Sequence, residues 1–104
     1  MSYDTVSTVL EGIVNLPLYV SGTIDNWKAI RVGSTNAAGR KYICILNKSP
    51  YKIFITTDNT ADPAHCLEIN KGGERIFPYS DKVTLYGLSA ETGGARIVVK
   101  EEIG

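Results

Sequence analysis

Lys41-Tyr42-Ile43-Cys44-Ile45-Leu46, then Asn47-Lys48-Ser49-Pro50, then Tyr51-Lys52-Ile53-Phe54-Ile55-Thr56-Thr57: two short runs of branched and aromatic residues stand on either side of a turn. The first run is apolar on both faces, which predicts a central strand buried on both sides. Pro50 removes a ladder donor and pre-sets φ, so Asn47 to Pro50 reads as a turn. The second run then returns beside the first as a hairpin.

Moving toward the C-terminus, the same alternation of short runs and punctuation continues. Asp58 to Ala64 is a polar loop containing Pro63, and Cys66-Leu67-Glu68-Ile69 is a short strand. Asn70-Lys71-Gly72-Gly73 reads as a hairpin loop, because glycine accepts positive φ without steric penalty. Glu74 to Tyr79 follows, with Pro78 marking an edge strand or a strand end. Lys82 to Ser89 is predicted as a strand with Val83 and Leu85 on one face and Thr84 and Tyr86 on the other. In Ala95 to Glu101, Ala95, Ile97 and Val99 alternate with Arg96, Val98 and Lys100, so one face is core. The predicted core comprises Ile43, Ile45, Ile53, Ile55, Leu67, Val83, Leu85, Ile97 and Val99.

Toward the N-terminus the pattern weakens. Trp27 to Val32 looks like a strand, and Leu18 to Val20 like a short one. Val6, Val9, Leu10 and Ile13 have helical spacing, with Asp4 placed as an N-cap and Gly12 where a helix ends. Thr5, Val6, Thr8 and Val9 are β-branched and oppose that helix. A short helix, an edge strand and an arm reaching a neighbour all remain open.

The chain has 104 residues, which suits one domain. Hydrophobic residues make up 43% and charged residues 21%, ordinary for a globular domain. Eleven basic residues balance eleven acidic ones, so the electrostatic footprint of a nucleic-acid binder or of an anionic-membrane binder is missing. No apolar run approaches the roughly 20 residues that span a bilayer. Met1-Ser2-Tyr3-Asp4 lacks the basic start of a signal peptide, which predicts synthesis in the cytoplasm without export. Cys44 and Cys66 stand far apart and outside any CxxC pair, and read as reduced and structural.

A search for chemistry finds little. His65, the only histidine, precedes Cys66 on what reads as a strand start, and adjacent strand residues point to opposite faces, so no Cys-His pair is expected. Asp58-Asn59-Thr60-Ala61-Asp62 starts like a calcium loop, but the sixth position is Pro63 and the twelfth is Ile69, so a polar turn is the better reading. Gly72-Gly73 and Gly93-Gly94 are isolated pairs rather than a phosphate cradle. Asn47-Lys48-Ser49 has the form of a glycosylation sequon and reads as a turn. Carboxylates are scattered without an acid/base pair. Six tyrosines and Trp27 offer material for a sugar-stacking patch, although strand aromatics more often serve core or interface. No enzymatic activity, cofactor or metal is expected.

From Ile30 onward the order of elements resembles a type of small phage-encoded β-sandwich found among virion structural proteins. The matching pieces are Ile30-Arg31-Val32-Gly33, Ala38-Gly39-Arg40-Lys41, Ile45-Leu46-Asn47-Lys48-Ser49, Ile53-Phe54-Ile55-Thr56, Lys71-Gly72-Gly73-Glu74, Val83-Thr84-Leu85-Tyr86-Gly87-Leu88-Ser89 and Ala95-Arg96-Ile97-Val98-Val99. The series of short alternating runs from Trp27 to Glu101 predicts a β-sandwich of about seven or eight mostly antiparallel strands, and the resemblance implies the same fold. The resemblance also implies a virion location and a role as a capsid decoration or head-fibre subunit that binds the major capsid protein or other virion proteins. Such proteins act as homo-oligomers, often trimers. The alternative is a tail- or fibre-associated module that binds carbohydrate or a receptor.

Residues 1–22 lie outside the resemblance, leaving 23–104 as the sandwich domain. They carry Val6, Val9, Leu10, Ile13 and Leu16 with few charges, a surface costly to leave in water. An N-terminal arm that contacts a partner through these five residues is therefore expected. The competing reading is that the segment completes its own sandwich as a first strand.

Overall fold

The computed structural model describes residues 8–19, 27–60, 66–90 and 95–104. Eight strands run in chain order: β1 (Thr8–Leu16), β2 (Lys28–Ile30), β3 (Arg40–Leu46), β4 (Ile53–Thr56), β5 (Leu67–Ile69), β6 (Glu74–Phe77), β7 (Leu85–Ser89) and β8 (Ala95–Ile103). They form two four-stranded sheets, β1-β8-β3-β6 (sheet A) and β2-β7-β4-β5 (sheet B), with every ladder antiparallel. Packed face to face, the sheets make a sandwich, as the alternation predicted. The strand order is that of an eight-stranded jelly roll.

Period-2 alternation fills the space between the sheets. From sheet A come Val14 and Leu16 of β1, Ile43 and Ile45 of β3, and Ala95, Ile97 and Val99 of β8; sheet B contributes Ile30, Ile53, Ile55, Ile69 and Leu85. Gly87 of β7 lets Leu16 cross close to sheet B, since a Cβ there would stand 2.8 Å from Ile30 Cδ1 and 2.9 Å from Leu16 Cδ1. Of the predicted core, Leu67 and Val83 are only half-buried. Leu67 opens the edge strand β5. Val83 precedes β7, in a turn where its N–H donates to the Ser80 carbonyl; the strand begins at Leu85, not at Lys82. Leu85 is 1% exposed, so Leu85→Ala should cost about 2–5 kcal/mol in urea unfolding.

The two expected hairpins are not hairpins. β3 lies in sheet A and β4 in sheet B, and β5 and β6 are split the same way. Both turns are arches from one sheet to the other, and they are stacked. Asn47, fully buried, holds the stack together. Its Nδ2 donates to the carbonyls of Tyr51 (2.7 Å), Ile69 (3.1 Å) and Asn70 (3.2 Å), while its Oδ1 accepts from the Ser49 N–H and hydroxyl. Its backbone N–H donates to the Gly73 carbonyl, and its carbonyl accepts from the Gly72 N–H. Gly72 has φ +76, which supplies the left-handed turn. Among the described strands, β4 and β5 are the one consecutive pair that shares a sheet.

A buried ion pair closes the opposite part of the sandwich. A bulge between Arg40 and Tyr42 shifts the β3–β8 register by one residue. The shift turns Arg40 from the outer face, where Tyr42 and Cys44 point, to the inner one. There its guanidinium meets the Glu101 carboxylate at 2.8 Å, both side chains fully buried. Glu101 also accepts from the N–H groups of Val32 (2.7 Å) and Ala37 (3.0 Å). Arg40 donates further to the carbonyls of Tyr79 (3.0 Å), Ser80 (2.8 Å) and Val83. One pair thus fastens the loop before β3 and the loop between β6 and β7 to the end of β8.

The N-terminal segment is partly core. β1 pairs with β8 along its whole length, from Thr8↔Ile103 to Leu16↔Ala95. The boundary at 22/23 therefore does not separate an arm from the sandwich over residues 8–16: they complete it as an edge strand. Beyond it, Leu18 bridges Ser89 of sheet B, with Tyr19 N–H donating to the Ser89 carbonyl. Residues 1–7, including Val6, lie outside the described residues.

Candidate interaction surface

The two outer faces differ. On sheet B, Leu88 is fully buried although it points away from the core, Tyr19 sits edge-on against Phe54 at 6.0 Å, and the Lys52 ammonium lies 5.6 Å from the Phe54 ring centroid. On sheet A no described residue covers the outer face, where exposed apolar side chains stand among charged ones.

The register assembles that face row by row. The first row sets Val9, Glu102 and Tyr42 side by side on β1, β8 and β3; the next sets Glu11, Lys100, Cys44 and Ile76 across all four strands; the third sets Ile13, Val98 and Leu46 together, with Glu74 beyond. Ile76 is 61% exposed, Ile13 55%, Val9 51% and Tyr42 43%. A shallow groove of about 430 Å³ runs between Val9, Tyr42, Cys44, Ile76, Lys100 and Glu102. At its side Lys100 pairs with Glu11 at 3.5 Å, with both side chains well exposed. Such a pair adds little to stability, so its charges are free to respond to a partner. Burial pushes the Cys44 thiol up from its ordinary pKa, and Glu74 pushes it further. Cys44 therefore presents a protonated, weakly polar surface rather than a nucleophile.

The five residues expected to contact a partner are divided by this arrangement. Val9 and Ile13 lie on the outer face of sheet A. Leu10 points to the inner side at the open end of the sandwich, opposite Glu101, and is 38% exposed. Leu16 is 2% exposed and belongs to the core, which excludes it as a contact in the folded protein. Sequence reasoning missed Tyr42, Leu46, Ile76 and Val98. The signal for the first two was present, since the run from Lys41 to Leu46 is apolar on both faces; the outer one is open rather than covered. That strand is central within its sheet, as predicted, but buried on one side only.

Asp58 Oδ1 accepts from the Thr60 N–H (2.9 Å) and hydroxyl (2.7 Å), which lower the Asp58 pKa and make the segment a polar turn as far as Thr60. His65 lies outside the described residues. Cys44, within β3, and Cys66, just before β5, are not joined in a disulfide. The aromatics are dispersed: Tyr79 stacks on Phe77 at 5.4 Å, Trp27 is buried, and Tyr42 is the most exposed tyrosine among the described residues. No family model and no curated protein matches the chain.

Proposed function

We propose that the protein is a non-enzymatic structural component of a bacteriophage virion, a decoration or head-fibre subunit that docks on the capsid through the outer face of sheet A and acts as a homo-oligomer. The open apolar face carries this reading. The apolar row Ile13–Val98–Leu46 runs on through Cys44 to Ile76 and Tyr42, with Glu11 and Lys100 beside it, and exposed apolar patches of this kind mark protein contact sites. The jelly-roll order supports the reading by analogy, because viral capsid domains use it; lectin domains use it too. The order of turns and strands from Ile30 to Val99 adds the resemblance to virion proteins.

The face predicts how docking fails. Ile76→Glu places a carboxylate in the centre of the groove, on a residue that is already mostly exposed. Co-sedimentation with capsids of the encoding phage should weaken by about 2 kcal/mol or more if Ile76 is a central contact. The unfolding midpoint in urea should move little, as for other surface changes. Unchanged co-sedimentation by Ile76→Glu and by Tyr42→Glu together would contradict docking through this face.

A further inference from the structure

The four exposed sheet edges are unequal. β6 has four residues and carries Glu74 and Arg75; β2 and β5 have three each and carry Lys28 and Glu68. Shortness and charge are the usual protections of an edge against pairing. β1 has neither. It runs for nine residues, is bonded to β8 without a bulge, and has no described strand on its other side. Glu11 is its one charge, no proline interrupts it, and Val9, Leu10 and Ile13 are exposed along it.

We propose that β1 pairs antiparallel with β1 of a second copy across a two-fold axis at Ile13, joining the two A sheets into one. Side-chain chemistry selects the occupant and the register. An antiparallel strand that meets itself is self-complementary by symmetry. With the axis at Glu11, two carboxylates would stand directly opposite, which destabilises; with the axis at Gly12, Glu11 would face Ile13. With the axis at Ile13, Ile13 meets its own copy and Glu11 meets Asn15. The outer row Leu46–Val98–Ile13 then continues without a break into Ile13–Val98–Leu46 of the second copy. Leu10 gains Leu16 as its cross-strand neighbour. The pairing uses the edge and leaves the outer face open, so it stands or falls apart from capsid docking.

Sedimentation velocity of the purified full chain across the micromolar range tests it. The expected species is a dimer, and Ile13→Lys, which sets two ammonium groups on the axis, is expected to be monomeric. Asn15 gives the register, because it is exposed and faces Glu11 only in the proposed pairing. Asn15→Lys should tighten the dimer and Asn15→Glu should loosen it, with dissociation constants about tenfold apart from two symmetric charge pairs. Circular dichroism checks that each variant keeps its β spectrum, and the Asn15 pair decides the matter even if Ile13→Lys misfolds. A wild-type monomer or trimer, a dimeric Ile13→Lys, or two Asn15 variants shifted in the same direction would overturn the proposal.

Discussion

Deleting residues 2–16 is expected to leave a chain that does not fold. The deletion removes all of β1, and with it the cross-strand partners of Ala95 through Ile103. It strips Val14 and Leu16 from the core, where they are 7% and 2% exposed. Burying such a side chain is worth about 1.5–3 kcal/mol each. The deletion also uncovers Ile97 and Val99 at a new sheet edge and empties the space that Leu16 fills above Gly87. A small domain has about 5–15 kcal/mol of stability in total, so these losses consume most of it. Circular dichroism and urea titration of the truncated chain would decide: a cooperative transition with a native-like β spectrum would mean that β1 is dispensable after all.

Arg40→Met is expected to be the most damaging single substitution, by about 3–5 kcal/mol at neutral pH. It leaves the Glu101 carboxylate buried without its counter-ion and the Tyr79, Ser80 and Val83 carbonyls without their donor. Adding Glu101→Leu should recover part of the loss, because an apolar pair avoids the unpaired charge; the Val32 and Ala37 N–H groups would still lack an acceptor. The pair also makes stability depend on pH. Burial pushes the Glu101 carboxyl up, but the hydrogen bonds from Val32, Ala37 and Arg40 and the Arg40 charge outweigh it, and the net pKa lies below the ordinary 4.5. Between the folded value and 4.5 the unfolded chain binds more protons, so stability rises with pH there. The contribution is complete above about 4.5 and is lost as pH falls through the depressed folded value. Once Arg40 is gone, Glu101 keeps the Val32 and Ala37 hydrogen bonds but loses the Arg40 hydrogen bond and charge that also hold its pKa down, so its pKa rises. The penalty of Arg40→Met should therefore be larger in urea titrations at pH 7 than at pH 3; an equal penalty at both would contradict the pairing.

How far the sequence could be read follows from which forces act locally. The alternation of Ala95, Ile97 and Val99 with Arg96, Val98 and Lys100 reports the pleat directly, and β8 lies where it was expected, two residues longer. The turn residues at Asn47 and Gly72 reveal that the chain reverses. They do not reveal whether it returns in the same sheet or crosses to the other, because that depends on a side chain of Asn47 bonding to Ile69 and Asn70, far along the chain. The inward turn of Arg40 depends on a bulge against β8, which no local pattern marks. In β1, the branched residues that argued against a helix were the useful signal, and the apparent helical spacing was not. The proposed docking surface was legible in part: Val9 and Ile13 were singled out, whereas Ile76 and Val98 join them only through the pairing of β6 with β3 and of β8 with β1 and β3.

Docking of the outer face of sheet A on a capsid is tested most directly by a cryo-EM map of the phage particle that carries this protein. The expected map shows the sandwich on the capsid lattice, with Val9, Ile13, Tyr42 and Ile76 turned toward the shell and covered by it. A sandwich seated at the tail tip, or one on the capsid whose sheet A face looks into solvent, would contradict the account; the first of these would favour receptor or carbohydrate binding instead.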